Sequence, residues 1–103
     1  AQQRAKFISL RSAKEGLEKH ANEQSEDTST IRSQLNQYEL IAIGIRKQIL
    51  DAEMYKTYYR TTFVRDYRMA RNFIDKERAA GDGHPRYWIE FETMAKEFEA
   101  EPD

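Results

Sequence analysis

One stretch of the sequence decides the fold: Leu35-Asn36-Gln37-Tyr38-Glu39-Leu40-Ile41-Ala42-Ile43-Gly44-Ile45-Arg46. No other segment is as dense in apolar residues, and its polar residues stand at fixed helical offsets. The residues that repeat with the 3.6-residue spacing of an α-helix are Ile31, Leu35, Tyr38, Ala42, Ile45 and Ile49. They predict a helix from about Thr30 to Gln48. Leu40 and Ile43 point to a second side, beside Gly44, so this helix is either central or shared with a partner.

The chain before this helix predicts a weaker helical arm over residues 2–21, made largely of good helix formers. Its apolar seam of Phe7, Leu10, Leu17 and Ala21, with Ile8 beside it, buries too little to stabilise an isolated helix of this length in water. We therefore expect the arm to pack against another surface. The polar residues 22–29, which include no apolar side chain, predict a linker.

Two further helices are predicted after the central one. Asp51 is the expected N-cap of a long third helix over residues 52–80, which Gly81-Asp82-Gly83 ends. Its apolar side carries Tyr55, Tyr59, Thr62, Phe63, Tyr67, Ala70, Phe73 and Ile74. Pro85 is expected at the first position of a short fourth helix. The apolar face of that helix consists of Trp88, Phe91, Met94 or Ala95, and Phe98.

These patterns predict an all-α protein, a small bundle of about four helices with the N-terminal helix as a packing arm. We expect three parts: the N-terminal helix and polar linker over 1–29, a compact helical domain over 30–99, and an acidic tail over 100–103. The predicted core consists of Leu35, Tyr38, Ile41, Ala42, Ile45, Tyr59, Phe63, Tyr67, Phe73, Trp88 and Phe91.

The composition excludes several classes of function. The 103 residues are 39% apolar and 34% charged, which suits one small helical domain with a solvated surface. A net charge of −1 predicts neither a nucleic acid nor an anionic membrane as the partner. The sequence has no cysteine, which excludes disulfides, thiolate metal sites and cysteine nucleophiles. No apolar run approaches the roughly 18 residues that span a bilayer.

Four short segments combine polar and apolar residues in a distinctive order. They are Asn36-x-Tyr38-Glu39-x-Ile41-Ala42-x-Gly44-Ile45-Arg46, then Ile49-Leu50-Asp51-x-Glu53, then Val64-Arg65-Asp66-Tyr67, and last His84-Pro85-Arg86-Tyr87-Trp88-Ile89-Glu90-Phe91-Glu92. Over residues 35–91 they resemble an uncharacterised helical domain family of bacteria and phages. The last segment departs from the family pattern, because His84 stands where members carry Asn. The resemblance implies a fold and no known reaction.

Members of that family often lie behind an N-terminal transmembrane helix. This chain begins with Ala1 rather than Met, so we expect its start to be cut or processed. We expect a cytoplasmic location, and a missing upstream segment would hold the domain at the cytoplasmic face of a membrane.

Asp66 and its expected partners form the most specific polar constellation. Asp66 interrupts the apolar side of the third helix, while Glu39 and Arg46 flank the main face of the second. A buried carboxylate must find a partner or become protonated, because burying the charge alone is costly. Arg46 is the expected partner, with tyrosine hydroxyls as the alternative. A buried ion pair that fixes helix register is favoured over a general acid/base pair in a cleft, since no nucleophile or metal set accompanies it.

The remaining polar residues give weaker signals. Arg60, Arg71 and Arg78 align along the third helix, but interspersed acidic residues favour a solvated flank over a phosphate-binding surface. We therefore expect no nucleic-acid partner. His20 and His84 are single residues without ligand spacing, so no metal is predicted. We also predict no cofactor and no catalytic residue.

Two functions from different classes remain. The favoured one is a non-enzymatic helical protein-interaction domain: a phage or bacterial binder, or a regulatory module of a larger protein or of a membrane-anchored assembly. Its partner is an unidentified protein, and we also expect a homodimer. The expected interface consists of Phe7, Leu10, Leu17, Leu40, Ile43 and Gly44. The alternative is a weakly recognisable enzyme or nucleotide-binding module that uses the polar network Glu39, Arg46, Arg65 and Asp66. An exposed cleft joining these four residues would favour the alternative, and their mutual burial would favour the first.

Overall fold

The computed structural model describes residues 2–101, and within that range the regular structure is entirely helical. Its four α-helices are α1 (Gln2–Ser12), α2 (Glu26–Arg46), α3 (Ala52–Ala79) and α4 (Ile89–Ala100). A short 3-10 helix, Leu17–His20, stands between α1 and α2. The predicted all-α bundle is therefore confirmed. None of the helices described is both long and apolar enough to cross a membrane.

The N-terminal arm is not one continuous helix, so the prediction for residues 2–21 is wrong in its second half. α1 ends at Ser12, and the chain then turns through Gly16, whose φ of 75° lies in the left-handed region. Glycine adopts this conformation without the steric cost that a Cβ brings. The turn redirects the chain so that Leu17, at the start of the 3-10 helix, enters the core.

The start of α2 also differs from its prediction. The helix begins at Glu26, four residues before the expected Thr30, because Ser25 is its N-cap. The Ser25 hydroxyl accepts the backbone N–H of Thr28 at 3.1 Å. Glu26 and Asp27 in the first turn add negative charge where the helix dipole favours it. The linker is correspondingly shorter than predicted.

The predicted boundaries of α3 are close to the observed ones, whereas the start of α4 is not. Asp51 is the N-cap of α3, as predicted, and its carboxylate accepts the N–H of Met54 at 3.0 Å. α4 begins at Ile89 rather than at Pro85. Residues 85–88 form a turn, and its last residue, Trp88, adopts a left-handed conformation with φ 57°.

The core lies where α1 and α4 each pack against both α2 and α3. At its centre, the ring of Tyr38 stacks on Phe91 with centroids 4.7 Å apart, and Phe63 meets both rings edge-on. The predicted core is confirmed except for Ile41, which is only partly buried, and Tyr59, which is 46% exposed. Buried residues that the core prediction omitted include Phe7, Leu17, Ile31, Val64, Ala70, Ile74, Met94, Ala95 and Phe98.

The N-terminal arm belongs to this same core. Phe7 and Leu17 have no exposed surface, and Leu10 packs against the core at its edge. In this arrangement Phe7 and Leu17 offer nothing to a second chain, so their predicted place in an intermolecular interface is wrong. Of the predicted tail, Pro102 and Asp103 lie outside the described residues.

Gly44 was also expected to admit a partner, but its own chain fills the space beside it. A Cβ on Gly44 would lie 2.7 Å from Cδ1 of Leu50. The carbonyl of Gly44 accepts the backbone N–H groups of Ile49 and Leu50 at 2.9 and 3.0 Å. Gly44 thus permits the chain to fold back from α2 toward α3.

Candidate functional site

Asp66 is the buried centre of a hydrogen-bonded polar group, which we call the Asp66 cluster: Asp66, Tyr38, Arg4, Arg11 and Arg65. Its carboxylate is fully buried and accepts a short hydrogen bond from the Tyr38 hydroxyl. Arg11 donates at 2.8 Å, Arg4 at 3.1 Å and Arg65 at 3.2 Å. Arg4 also donates to the Tyr38 hydroxyl at 2.9 Å. The predicted burial of Asp66 and its tyrosine partner are both confirmed.

The electrostatics of the cluster keep Asp66 ionised. Burial by itself opposes ionisation of the carboxyl, but the hydrogen bonds from Tyr38 and Arg11 and the charge of Arg4 outweigh it. The pKa of Asp66 therefore lies below its ordinary value. Burial and the neighbouring carboxylate raise the pKa of the Tyr38 hydroxyl, which stays protonated. An ionised carboxylate with all its partners inside the fold has no free acid or base to offer a substrate.

Arg46, the expected partner of Asp66, lies elsewhere, so this pairing is wrong. Its guanidinium donates to Glu90, at the start of α4, at 2.8 Å and is largely exposed. The predicted network of four residues separates into two hydrogen-bonded groups. Arg65 and Asp66 belong to the Asp66 cluster, whereas Glu39 and Arg46 both contact the first turn of α4.

Glu39 caps α4 from a different helix. Its carboxylate accepts the backbone N–H of Phe91 at 2.7 Å and that of Glu90 at 3.3 Å. An N-cap side chain normally supplies this acceptor, but Trp88 occupies the cap position and has no such group. The indole of Trp88 instead donates to Asn36, one turn before Glu39, at 2.8 Å. Asn36 and Glu39 thus fix α4 on α2, together with Arg46, which pairs with Glu90.

A second buried carboxylate, Glu77, was missed by the sequence reasoning. It accepts two hydrogen bonds from Arg32, at 2.8 and 2.9 Å, and one from the backbone N–H of Asn22 at 2.6 Å. Burial by itself would raise the pKa of Glu77, but the hydrogen bonds from Arg32 and Asn22 outweigh it. The pKa therefore lies below its ordinary value. Glu77 follows Asp66 by eleven residues, three helical turns, so it continues the face that carries Ala70 and Phe73. This spacing is the signal in the sequence that could have predicted the burial of Glu77.

Two of the three arginines aligned on α3, Arg60 and Arg78, are occupied by structural contacts, whereas Arg71 is exposed. Arg60 donates to the carbonyls of Phe98 and Glu101 at the end of α4. Arg78 donates to the carbonyl of Tyr87 and to the Glu92 carboxylate. These bonds attach α3 to both ends of α4. The guanidinium groups of Arg60 and Arg78, which a phosphate would need as donors, are thereby engaged within the fold.

Neither histidine belongs to a metal site in residues 2–101, where no three His, Cys, Asp or Glu side chains converge. The ring of His84 accepts the backbone N–H of Arg86 at 3.1 Å within the turn before α4. The backbone carbonyl of His20 accepts the Thr28 hydroxyl at 2.6 Å.

One open groove, of about 620 Å³, lies beside the Asp66 cluster, between the start of α1, the middle of α2 and the first half of α3. We call it the tyrosine groove; its lining consists of Gln3, Arg4, Gln34, Gln37, Tyr38, Ile41, Tyr55, Tyr58, Tyr59, Thr62 and Phe63. Glu39, Arg46, Arg65 and Asp66 are not among these residues. The groove is therefore not the cleft that an enzyme built on those four residues would need.

Comparison with known proteins gives a family and no reaction. The family model described as Domain of unknown function (DUF4760) matches residues 1–98. No curated protein and no solved structure matches the chain. The resemblance to an uncharacterised family is thereby confirmed, and the match includes the N-terminal arm, which the recognised segments did not cover. The chain belongs to the DUF4760 family.

Proposed function

We propose that this chain is a non-enzymatic helical domain that binds another protein, as a binder or as a regulatory module of a larger protein or membrane-anchored assembly. The observation that carries the proposal is that the buried carboxylates form their hydrogen bonds within the same chain. Within residues 2–101 two carboxylates are buried. Asp66 is held by three arginines and Tyr38, and Glu77 by Arg32 and the backbone N–H of Asn22. The polar groups that catalysis would require thus serve the fold.

The exposed surface supports the same proposal. Several large apolar side chains remain in solvent, among them Leu40 at 68% and Ile49 at 75% exposure. Single exposed apolar residues are common on soluble proteins, but clustered ones mark sites of association. Leu40 belongs to the second apolar side of α2 that the sequence had indicated. We infer that this side of α2 is a surface of association.

A homodimer remains our proposal for the assembly of this chain. Because Phe7 and Leu17 are enclosed in their own core, we expect its interface to use the outer side of α2, where Leu40 is exposed and Ile43 is half-buried. Symmetric pairing of one such patch with itself is the commonest way in which protomers associate.

Site-specific cross-linking tests the proposed function. A photoreactive amino acid placed at Leu40 or at Ile49 in the full chain should give a discrete covalent product in cells of the native host, and mass spectrometry should identify a protein in it. The matched control is the same amino acid at Glu15, an exposed polar position in the turn after α1. Equal products from Glu15, or none from either apolar position, would contradict the proposal.

A further inference from the structure

We infer that the tyrosine groove is a binding site for an uncharged, extended, proline-rich peptide segment, an inference that rests on the proposed interaction function and names its partner class. Its volume of about 620 Å³ falls in the range of ligand sites, and its wall combines aromatic rings with amide and hydroxyl groups.

Gln34 is a buried polar side chain without a protein partner. It is only 5% exposed, yet its amide forms no hydrogen bond within the described chain. Every fully enclosed side-chain nitrogen or oxygen in residues 2–101 has a hydrogen-bond partner. Because the amide of Gln34 has none, it is not fully enclosed, and it reaches solvent through the groove that it lines. A carboxamide that is unpaired and faces an open groove offers two donors and one acceptor to an occupant.

The lining of the groove offers little free charge to an anionic occupant. Among the described residues, Arg4 is the only charged one in the lining, and its guanidinium already binds Asp66 and the Tyr38 hydroxyl. A nucleic acid stacked on the tyrosines would bring phosphates, and none of the described lining residues supplies an unpaired cation to neutralise them. The occupant should therefore be neutral.

The walls of the groove favour an extended chain over a helix or a strand. They are built from α-helices, which offer no unpaired sheet edge for a strand to join. A helical occupant has its backbone amides bonded internally, so it could not use the amide of Gln34 through its main chain. A polyproline II segment has no internal hydrogen bonds, and its carbonyls project outward to accept bonds from side chains.

The tyrosines supply the rest of the recognition. Tyr55 and Tyr59 stack with centroids 5.5 Å apart and present a continuous aromatic surface, as grooves for proline-rich segments do. Tyr58 is 76% exposed beside them. We expect proline rings to pack on Tyr55 and Tyr59, while Gln34 and the Tyr58 hydroxyl donate to carbonyls of the peptide.

The test is a titration of the full ¹⁵N-labelled chain with capped decaproline, followed by NMR. A glycine–serine decamer is the control peptide. We expect saturable shifts at the side-chain amides of Gln34 and Gln37 with decaproline only. Tyr58→Ala and Gln34→Leu should each weaken binding at least tenfold, with little change in the melting temperature for Tyr58→Ala. Tyr87→Ala, a matched loss of an exposed tyrosine outside the groove, should leave binding unchanged.

Three results would overturn the inference: no saturable shift at the lining residues, equal weakening by Tyr87→Ala, or shifts with maltoheptaose but none with decaproline. The last would assign the groove to saccharides. Cross-linking from Leu40 or Ile49 separates this failure from that of the proposed function. A specific protein adduct there, with no peptide in the groove, would leave the interaction function standing.

Discussion

The carboxylate of Glu39, on α2, accepts the backbone N–H of Phe91, in the first turn of α4, at 2.7 Å. An acceptor for this donor normally lies in the helix's own cap residue, but here it comes from another element. Local secondary structure and tertiary packing are thus coupled through one side chain, since α4 is capped only when it is docked.

Removal of this cap should destabilise the fold. Glu39→Ala is expected to lower the free energy of unfolding by about 1 kcal/mol, the usual effect of losing an N-cap acceptor. Glu39→Gln keeps an acceptor without the charge and should cost less. The measurement is equilibrium urea unfolding, with Arg46→Ala as the comparison, since its exposed pair with Glu90 should contribute at most about 1 kcal/mol. A Glu39→Ala protein as stable as the wild type would contradict the assignment.

Gly44 and Leu50 should be energetically coupled. Ala in place of Gly within a helix ordinarily gains about 1 kcal/mol, but the new Cβ would stand 2.7 Å from Leu50. We expect Gly44→Ala to lower stability when Leu50 is present and to raise it in a Leu50→Ala background. A double-mutant cycle by urea unfolding measures this coupling. Additive effects would show that the close approach has no energetic consequence.

The sequence predicted those features that depend on local pattern. The 3.6-residue spacing placed the buried faces of α2 and α3, and the cap rule placed Asp51. The burial of Asp66 followed from its position among apolar residues, and so did its need for a partner. The choice of partner could not follow, because Arg4 and Arg11 lie more than fifty residues away, on an arm whose docking only the tertiary structure reveals.

The predicted helix boundaries were wrong where a single residue interrupts the helical pattern of its neighbours. Gly16 turns the chain out of a segment otherwise rich in helix formers, and the left-handed Trp88 delays α4 beyond Pro85. Glu77 was overlooked because an acidic residue near the end of a long helix usually faces solvent. The tyrosine groove depends on how α1, α2 and α3 meet, which no spacing within one helix encodes.

Neutralising the central carboxylate should loosen the attachment of α1. Asp66→Asn leaves Arg4 and Arg11 without their anionic partner, and breaking a buried ion pair costs about 3 kcal/mol. Asp75→Asn, at an exposed position of the same helix, is the matched control and should change little. Urea unfolding gives the stability, and hydrogen exchange should show loss of protection in α1. A loss below about 1 kcal/mol would mean that the cluster contributes little to the fold.

The proposed homodimer should depend on the outer side of α2. We expect light scattering at micromolar concentration to give a dimer mass for the wild type and a monomer mass for Leu40→Lys. Leu40 is well exposed, so the substitution should leave the fold of the monomer intact. Lys19→Leu, at an exposed site away from α2, serves as a composition control. A monomer mass for the wild type would contradict the dimer.

Stability should fall steeply in acid, and the buried carboxylates determine where. The pKa values of Asp66 and Glu77 are lower in the folded chain than their ordinary values, because the hydrogen bonds from their partners outweigh burial. As the pH falls, the unfolded chain therefore takes up protons first. The contribution of the two carboxylates to the free energy of unfolding is complete above the unfolded pKa values, about 3.9 for Asp and 4.3 for Glu. It is lost as the pH falls through the lower folded values.

Urea unfolding between pH 7 and pH 2 should show this loss below about pH 5. Asp66→Asn should flatten the slope, whereas Asp75→Asn should not, and an unchanged slope in Asp66→Asn would show that Asp66 is not the group being titrated.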